Sequence, residues 1–148
     1  MGDTIKLRVA TPEDYDFLYA LHCTTMRDYI EETWGWDEVW QQNHFKQHFQ
    51  PEANQIILLN GCEVGRIEMG CNENGVRIGN IQILPANQSK GVGSHVILNI
   101  VRQAQQQKQP VTLQVLKVNP ARRLYERLGF VVEGEDDAHF KMKRAWTQ

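Results

Sequence analysis

Alternation of hydrophobic and polar positions predicts a first strand over Ile5–Val9, followed at once by a helix start. Thr11 can cap a helix and Pro12 suits its first turn. Apolar residues then recur at close to helical spacing, as Leu18, Leu21, Met26 and Tyr29. This pattern predicts a long helix that ends at Thr33–Trp36.

A second helix and a change to strands follow. We expect Asp37 to cap this helix, which should run to about Gln50 because Pro51 cannot continue it. Gln55–Leu59 and Glu63–Met69 then flank Asn60-Gly61, a pair that favours a two-residue type I′ hairpin turn. Asn74-Gly75 predicts a second turn of the same kind before a strand over Val76–Leu84.

The remaining elements alternate between helices and strands. We expect helices over Ser94–Gln107 and Pro120–Leu128, and strands over Val111–Val118, Phe130–Glu133 and His139–Lys143. The order β-α-α-β-β-β-α-β-α-β-β predicts one α/β domain, residues 1–148, with a mixed sheet and helices on its faces. Strands joined through helices should run parallel, and hairpin strands antiparallel.

Composition narrows the class of protein. The 148 residues are 41% hydrophobic and 23% charged, which is ordinary for a globular chain with a core. The formal net charge of −2 makes a nucleic-acid partner unexpected. Three scattered cysteines, Cys23, Cys62 and Cys71, fit a reducing cytoplasm, and no apolar run is long enough for a membrane span. We therefore expect a soluble intracellular protein.

The segment with the clearest chemistry is the turn Gln88–Ser94. Gly91 and Gly93 allow close approach of the backbone to a ligand, and the amides of the following helix start can bind an anion such as a pyrophosphate. The same pattern also fits a tight turn without a ligand. Neither a P-loop nor the G-x-G-x-x-G dinucleotide motif is present, since Cys71 and Val96 stand where Lys and Gly are required.

Two motifs together resemble the GNAT superfamily of acetyl-CoA-dependent N-acetyltransferases. Gln88–Gly93 matches its Q/R-x-x-G-x-G/A signature, and Asn119–Phe130 matches the Asn, Leu-Tyr-Glu and Leu-Gly-Phe pattern of its C-terminal half. The resemblance implies a mostly antiparallel mixed sheet in which two central parallel strands separate around CoA. It also implies acetyl-CoA as the cofactor and no metal.

The resemblance further implies specific site residues. Backbone groups of Ile83 and Leu84 would pair with the pantetheine arm, and Asn119 would contact the cofactor from the next strand. Tyr125 would bind CoA and act as the general acid for the leaving thiolate. The pyrophosphate would be held by seven consecutive residues: Gln88, Ser89, Lys90, Gly91, Val92, Gly93 and Ser94. Without the family, Tyr125 would be interpreted as packing and Asn119 as a helix cap.

The general base is not identified by the motifs. Some relatives carry Glu at the position of Gln114, which cannot accept the proton. Glu68 and Glu32 are the alternatives. Glu68 could equally be a solvated strand residue.

An aromatic and acidic stretch, Tyr29–Trp40, falls where the family usually forms the acceptor pocket. Tyr29, Glu32, Trp34 and Trp36 would attract and orient a cationic amine. The alternative is that Trp36 and Trp40 anchor the second helix. His44 and His48 lack the Glu and third ligand of a zinc site.

The sequence therefore predicts an N-acetyltransferase that acts on a primary amine of a small molecule or a protein, with a homodimer as a possible assembly. The alternative hypothesis is a non-catalytic acyl-CoA-binding or sensing module of the same fold. Release of thiol from acetyl-CoA in the presence of amines distinguishes the two.

Overall fold

The computed structural model describes residues 2–147, which form one seven-stranded sheet covered by helices. The strands are β1 Ile5–Val9, β2 Asn54–Leu59, β3 Cys62–Asn72, β4 Gly75–Ile83, β5 Val111–Leu116, β6 Val131–Glu135 and β7 His139–Arg144. The α-helices are α1 Tyr15–Trp34, α2 Glu38–Gln47, α3 Val92–Gln106 and α4 Ala121–Arg127. Short 3₁₀ turns cover Pro12–Asp14, Pro51–Ala53 and Pro85–Asn87.

The sheet is mixed, with strand order β1-β2-β3-β4-β5-β7-β6. β4 and β5 are the parallel pair, and the other neighbouring strands run antiparallel. The predicted element order and the mostly antiparallel mixed sheet are confirmed. The parallel pair lies at the centre, where one helix, α3, carries the chain back across the sheet.

The prediction that all strands joined through helices run parallel is wrong for β1 and β2, which are antiparallel neighbours. Two helices separate these strands, and they run antiparallel to each other: Tyr15 packs on Phe49, and Tyr19 on Phe45. A single helix carries the chain back to the end of the sheet where the previous strand began. Two antiparallel helices bring it back to the end where that strand finished. The next strand must then run back.

Helices cover both faces of the sheet. α3 and α4 pack on one face through the larger core, which includes Ile57, Ile97 and Phe130. α1 and α2 pack on the opposite face, where Leu18 and Ile56 are fully buried. Ile56 and Ile57 are adjacent in β2 and serve opposite faces, as strand geometry requires.

The two hairpin turns differ. Asn60 and Gly61 have φ values of 53° and 84°, which confirms the type I′ turn between β2 and β3. The second turn is shifted by one residue from the prediction. Gly75 already belongs to β4 and pairs with Asn72, whose side chain accepts a hydrogen bond from the Asn74 amide at 2.7 Å. This local Asx bond places Glu73 and Asn74 at the centre of the turn.

Most helix ends lie within three residues of their predicted positions. Asp37 caps α2 by accepting from the Trp40 amide at 2.9 Å, but the helix ends at Gln47, before Pro51. α3 starts at Val92 instead of Ser94, so its first turn includes Gly93. Within residues 2–147, no helix is both long and apolar enough to cross a bilayer.

Candidate active site

β4 and β5 separate from each other halfway along their length. They pair only over Val76–Ile78 and Val111–Leu113. Beyond that point, Gly79–Ile83 and Gln114–Leu116 have no ladder partners across the opening, although both segments remain strands. Unpaired backbone groups must bond elsewhere, so this opening can accept a ligand that hydrogen-bonds like a strand.

A β-bulge at Gly79 marks the place where the strands begin to separate. On β3, Glu68 pairs with Asn80 and Met69 with Ile78, so Gly79 is the extra residue of β4. A Cβ at Gly79 would lie 2.9 Å from Oε1 of Glu68, so any other residue here would require the end of that side chain to move. Bulges bend a strand and increase its twist, which here turns the end of β4 away from β5.

The turn after β4 presents a concave row of amides. Ser89 and Gly91 both have left-handed φ values, 64° and 80°. The first intrahelical bond of α3 runs from the His95 amide to the Gly91 carbonyl, so the amides of Val92, Gly93 and Ser94 have no helical partner. Together with the helix dipole, these free donors are suited to binding an anion.

A cavity of about 650 Å³ joins this turn to the opening between β4 and β5. Predicted site residues that line it are Ile83, Gln88, Ser89, Gly91, Val92, Gly93, Ser94, Asn119 and Tyr125. The cavity suits a long ligand that carries an anionic group, because free amides lie at one end and unpaired strands at the other.

The other two predicted cofactor residues are placed differently. The Leu84 amide donates to the Val64 carbonyl at 2.8 Å, so it faces β3. Since backbone groups alternate along a strand, Ile83 presents its amide and carbonyl to the opening. Its carbonyl accepts one bond from the Gln88 side chain at 2.9 Å and keeps a second lone pair. Lys90 is exposed and does not line the cavity.

Asn119 caps a helix and also lies where the predicted cofactor contact requires it. Its Oδ1 accepts from the Ala121 amide at 2.9 Å, which caps the start of α4. The residue also lines the cavity, and this bond leaves its Nδ2 as the donor on that side chain.

Tyr125 is buried beside the opening. It is 7% exposed and packs edge-on against Phe130, with ring centroids 6.2 Å apart. No hydrogen bond joins its hydroxyl to another residue in 2–147. Burial raises the pKa of Tyr125 to about 12, which keeps the hydroxyl protonated at neutral pH.

A second cavity, of about 230 Å³, lies on the other side of the opening. It shares Met26, Ile81, Asn119 and Tyr125 with the first cavity, so the two meet at the separated strands. Polar and aromatic groups that line it alone are His22, Trp34, Arg77, Asn80, Gln114 and His139.

The predicted acceptor residues do not all lie in this second cavity. Trp34 lines it and is 62% exposed, whereas Tyr29 lines the first cavity. Glu32 and Trp36 line neither. The Trp36 ring packs on His22 at 5.9 Å and its Nε1 donates to Glu38 at 2.7 Å, so it joins α1 to α2.

Glu68, the candidate base, also lines neither cavity. Its Oε1 accepts from the Asn80 side chain at 2.7 Å, and it is Asn80 that faces the second cavity. Gln114 does line that cavity, so the position that carries an acid in some relatives is present here as an amide.

Sequence reasoning missed Arg127 in the first cavity and His139 in the second. Arg127 follows Tyr125 by two residues in the predicted helix, so its place near the site could have been predicted from the sequence. His139 lies far along the chain from Trp34, and nothing local indicates that the two meet. In the described part of the chain, no group of three or more His, Cys, Asp or Glu is placed to hold a metal ion.

Comparison with known proteins agrees with this geometry. The family described as acetyltransferase (GNAT) domain matches residues 22–142. The chain therefore belongs to the GNAT acetyltransferase family, as its motifs indicate. No curated protein sequence matches the chain.

Solved structures share the fold at low sequence identity. PaiA N-acetyltransferase from Thermoplasma acidophilum, in complex with coenzyme A, is 16% identical with a TM-score of 0.78, over 97% of this chain and 99% of that chain. The Escherichia coli ribosomal-protein-S18-alanine N-acetyltransferase is 15% identical with a TM-score of 0.70, over 98% and 96%. Arabidopsis thaliana Naa50, in complex with the bisubstrate analogue CoA-Ac-MVNAL, is 15% identical with a TM-score of 0.66, over 96% and 99%.

Proposed function

We propose that this protein transfers the acetyl group of acetyl-CoA to a primary amine, and that the separated strands β4 and β5 are where the two substrates meet. Two cavities that meet at that opening, where they share Tyr125, Asn119 and Ile81, support this proposal most directly. The larger cavity suits the cofactor and the smaller one the amine.

The first cavity supplies groups of the kind that CoA requires. The free amides of Val92, Gly93 and Ser94 would bind the pyrophosphate, with Arg127 as a further cation on the cavity wall. The Ile83 backbone would pair with the amides of the pantetheine arm. These contacts hold the thioester at the opening, where alignment with the amine lowers the barrier.

Unpaired backbone amides in Gly79–Ile83 can stabilise the negative charge that develops on the carbonyl oxygen. Such donors act strongly in a site that excludes water, because they are already oriented before the reaction. The bulge at Gly79 is the device that leaves them without partners on β5.

Tyr125 is the proposed acid for the leaving sulfur. Its pKa of about 12 lies above that of an ordinary thiol, so complete transfer of its proton would cost roughly 5 kcal/mol. The hydroxyl therefore donates a hydrogen bond to sulfur as the C–S bond breaks, and its proton moves to sulfur only as the second proton of the amine moves onto the phenol oxygen.

The acceptor is a primary amine of a small molecule or a protein. Trp34 on the wall of the second cavity supports a cationic acceptor, since an ammonium group is attracted to an indole face. The similarity to Naa50, solved with a peptide-bearing analogue, supports a protein amine.

The cellular setting and assembly are part of the proposal. Cys23, Cys62 and Cys71 are all unpaired, which supports the reducing cytoplasm as its location. We expect residues 1–148 to work as one domain and propose a homodimer, which sedimentation would test.

Two variants at Gly91 test cofactor binding. Gly91 has φ +80° and open space where a Cβ would lie, so Gly91→Ala and Gly91→Glu carry the same backbone strain. Only Gly91→Glu adds a carboxylate near the amides. We expect CoA affinity, measured by calorimetry, to fall much further for Gly91→Glu. Equal affinities in the two folded variants would contradict this placement.

Catalysis is tested by thiol release from acetyl-CoA across a panel of primary amines. Amine-dependent release supports the transferase. Tight CoA binding without release from any amine would instead support the non-catalytic CoA-binding module.

A further inference from the structure

We propose that His139, held by Asp136, is the general base that removes a proton from the acceptor ammonium group. This inference rests on the proposed function and supplies the base that the motifs leave unidentified. Neither residue belongs to the two sequence motifs. Glu68 lines neither cavity, and Gln114 is an amide that cannot accept the proton.

The turn between β6 and β7 is built around the Asp136 carboxylate. Its Oδ1 accepts hydrogen bonds from the backbone amides of Ala138 and His139 at 2.9 and 2.7 Å, and contacts Nδ1 of the His139 ring at 3.2 Å. The Asp136 amide in turn donates to the His139 carbonyl at 3.0 Å. The imidazole is therefore tied to a closed turn and cannot rotate freely.

This arrangement selects one form of the ring. The two backbone amides lower the pKa of Asp136, so its carboxylate is ionised and can only accept hydrogen bonds. Nδ1 of His139 must then carry the hydrogen, which leaves the lone pair of the neutral imidazole on Nε2. Nε2 makes no hydrogen bond to any residue in 2–147, so it remains available to a ligand.

His139 is placed where the amine is expected. It lines the second cavity together with Tyr125, and its ring lies 5.7 Å from that of Trp34, centroid to centroid. An ammonium group attracted by the Trp34 face would thus be next to the imidazole. The side chain is 27% exposed, so the proton it takes can pass to water.

The charged groups around His139 come from the turn that holds it and from neighbouring strands. Asp136 is the acid in contact. Leu116 of β5 pairs with His139, and Lys117 is the next residue. The Lys117 ammonium group lies 3.5 Å from the Glu135 carboxylate, which offsets its charge. Arg77 is a cation on the wall of the same cavity.

His22 is the competing base in that cavity, and its surroundings are less suitable. Its Nε2 lies 3.0 Å from Oε1 of Gln41, and its Nδ1 is buried without a partner. Burial lowers the pKa of His22 more than the hydrogen bond to Gln41 raises it, and the charges of Arg66 and His44 lower it further. A base must become positive, which this environment opposes.

One proton leaves the amine through His139, and a second reaches sulfur by way of Tyr125. The ammonium group gives one proton to Nε2 of His139, which passes it to water. The neutral nitrogen then uses its lone pair to form the C–N bond, and the C–S bond breaks with its electron pair on sulfur. Sulfur takes a proton from the Tyr125 hydroxyl, and the second proton lost by nitrogen restores Tyr125. One proton is released overall.

The test compares pH–rate profiles of His139→Gln, Asp136→Asn and the wild type, with His48→Gln as the matched histidine control outside both cavities. We expect kcat/KM for the amine to fall ~100-fold or more at neutral pH in His139→Gln, with CoA affinity by calorimetry unchanged. The loss should shrink as pH approaches the amine's own pKa, because the amine then arrives neutral. The Asp136→Asn variant should lower kcat/KM in the same pH range, because an amide no longer requires hydrogen on Nδ1.

Nitrogen-15 NMR of the wild-type ring gives a readout that needs no turnover, since the proposal requires hydrogen on Nδ1. The proposal is overturned if a folded His139→Gln enzyme, with chemistry rate-limiting, keeps the wild-type profile. It is also overturned if the ring carries hydrogen on Nε2, or if His22→Gln shows the loss in rate and His139→Gln does not. If the wild type acetylates no amine, the proposed function fails and this inference with it.

Discussion

Replacing Tyr125 with phenylalanine tests the acid role, because the structure separates packing from chemistry at this residue. The ring is buried and packs against Phe130, and phenylalanine keeps that contact. The hydroxyl has no hydrogen-bond partner in residues 2–147, so removing it breaks no bond that supports the fold. We therefore expect the free energy of unfolding to change by less than about 1 kcal/mol.

The rate should respond differently. Loss of a general acid typically costs ~10²–10⁴-fold, and the lower end is expected here because the high pKa of Tyr125 makes its hydroxyl a weak proton donor. Since the hydroxyl stays over nine-tenths protonated up to about pH 11, its ionisation should produce no alkaline limb in the wild-type profile below that pH. CoA affinity should change little, because the ring remains in the cavity wall.

The assay is steady-state thiol release with both substrates saturating, together with urea unfolding and CoA calorimetry. Single-turnover measurements establish that chemistry limits the rate. If Tyr125→Phe then turns over as fast as the wild type, the hydroxyl has no role and Tyr125 is a packing residue.

Two further outcomes are expected. Trp34→Ala should raise the acceptor KM roughly fivefold without changing the acetyl-CoA KM, because it removes a cation–π contact of ~1 kcal/mol. Trp40 is exposed outside both cavities, so Trp40→Ala is the control. Equal effects of the two variants would place the acceptor elsewhere. Arg8 donates two hydrogen bonds to the Asp14 carboxylate, at 2.8 and 2.9 Å, and thereby lowers the pKa of Asp14 to about 2. The ionised carboxylate therefore stabilises the fold above about pH 4, and that stability is lost as pH falls toward 2. Urea midpoints should show that loss in the wild type and in Asp16→Asn; Asp14→Asn should lack it, and a wild-type acid limb in Asp14→Asn would contradict the pairing.

Local features of the chain were predictable because short segments determine them. The type I′ turn at Asn60-Gly61 needs two residues that tolerate positive φ, and the cap of α2 needs only Asp37. The row of free amides within Ser89–Ser94 likewise depends on Gly91 and on the helix that starts beside it. The turn between β3 and β4 is shifted by one residue from the prediction, because the Asn72 side chain bonds the Asn74 amide.

The sequence by itself determined the element order, the glycine-rich turn before α3 and, through two motifs, the family. The tertiary structure decided that β1 and β2 run antiparallel, since this depends on how α1 and α2 pack against each other. It also decided where β4 leaves β5, because that point is set by a bulge against Glu68 on a neighbouring strand. His139 meets Trp34 only because β7 pairs with β5 and the end of α1 lies over the same opening. Contacts between residues far apart in the chain follow from packing of the whole sheet, and no local pattern of residues specifies them.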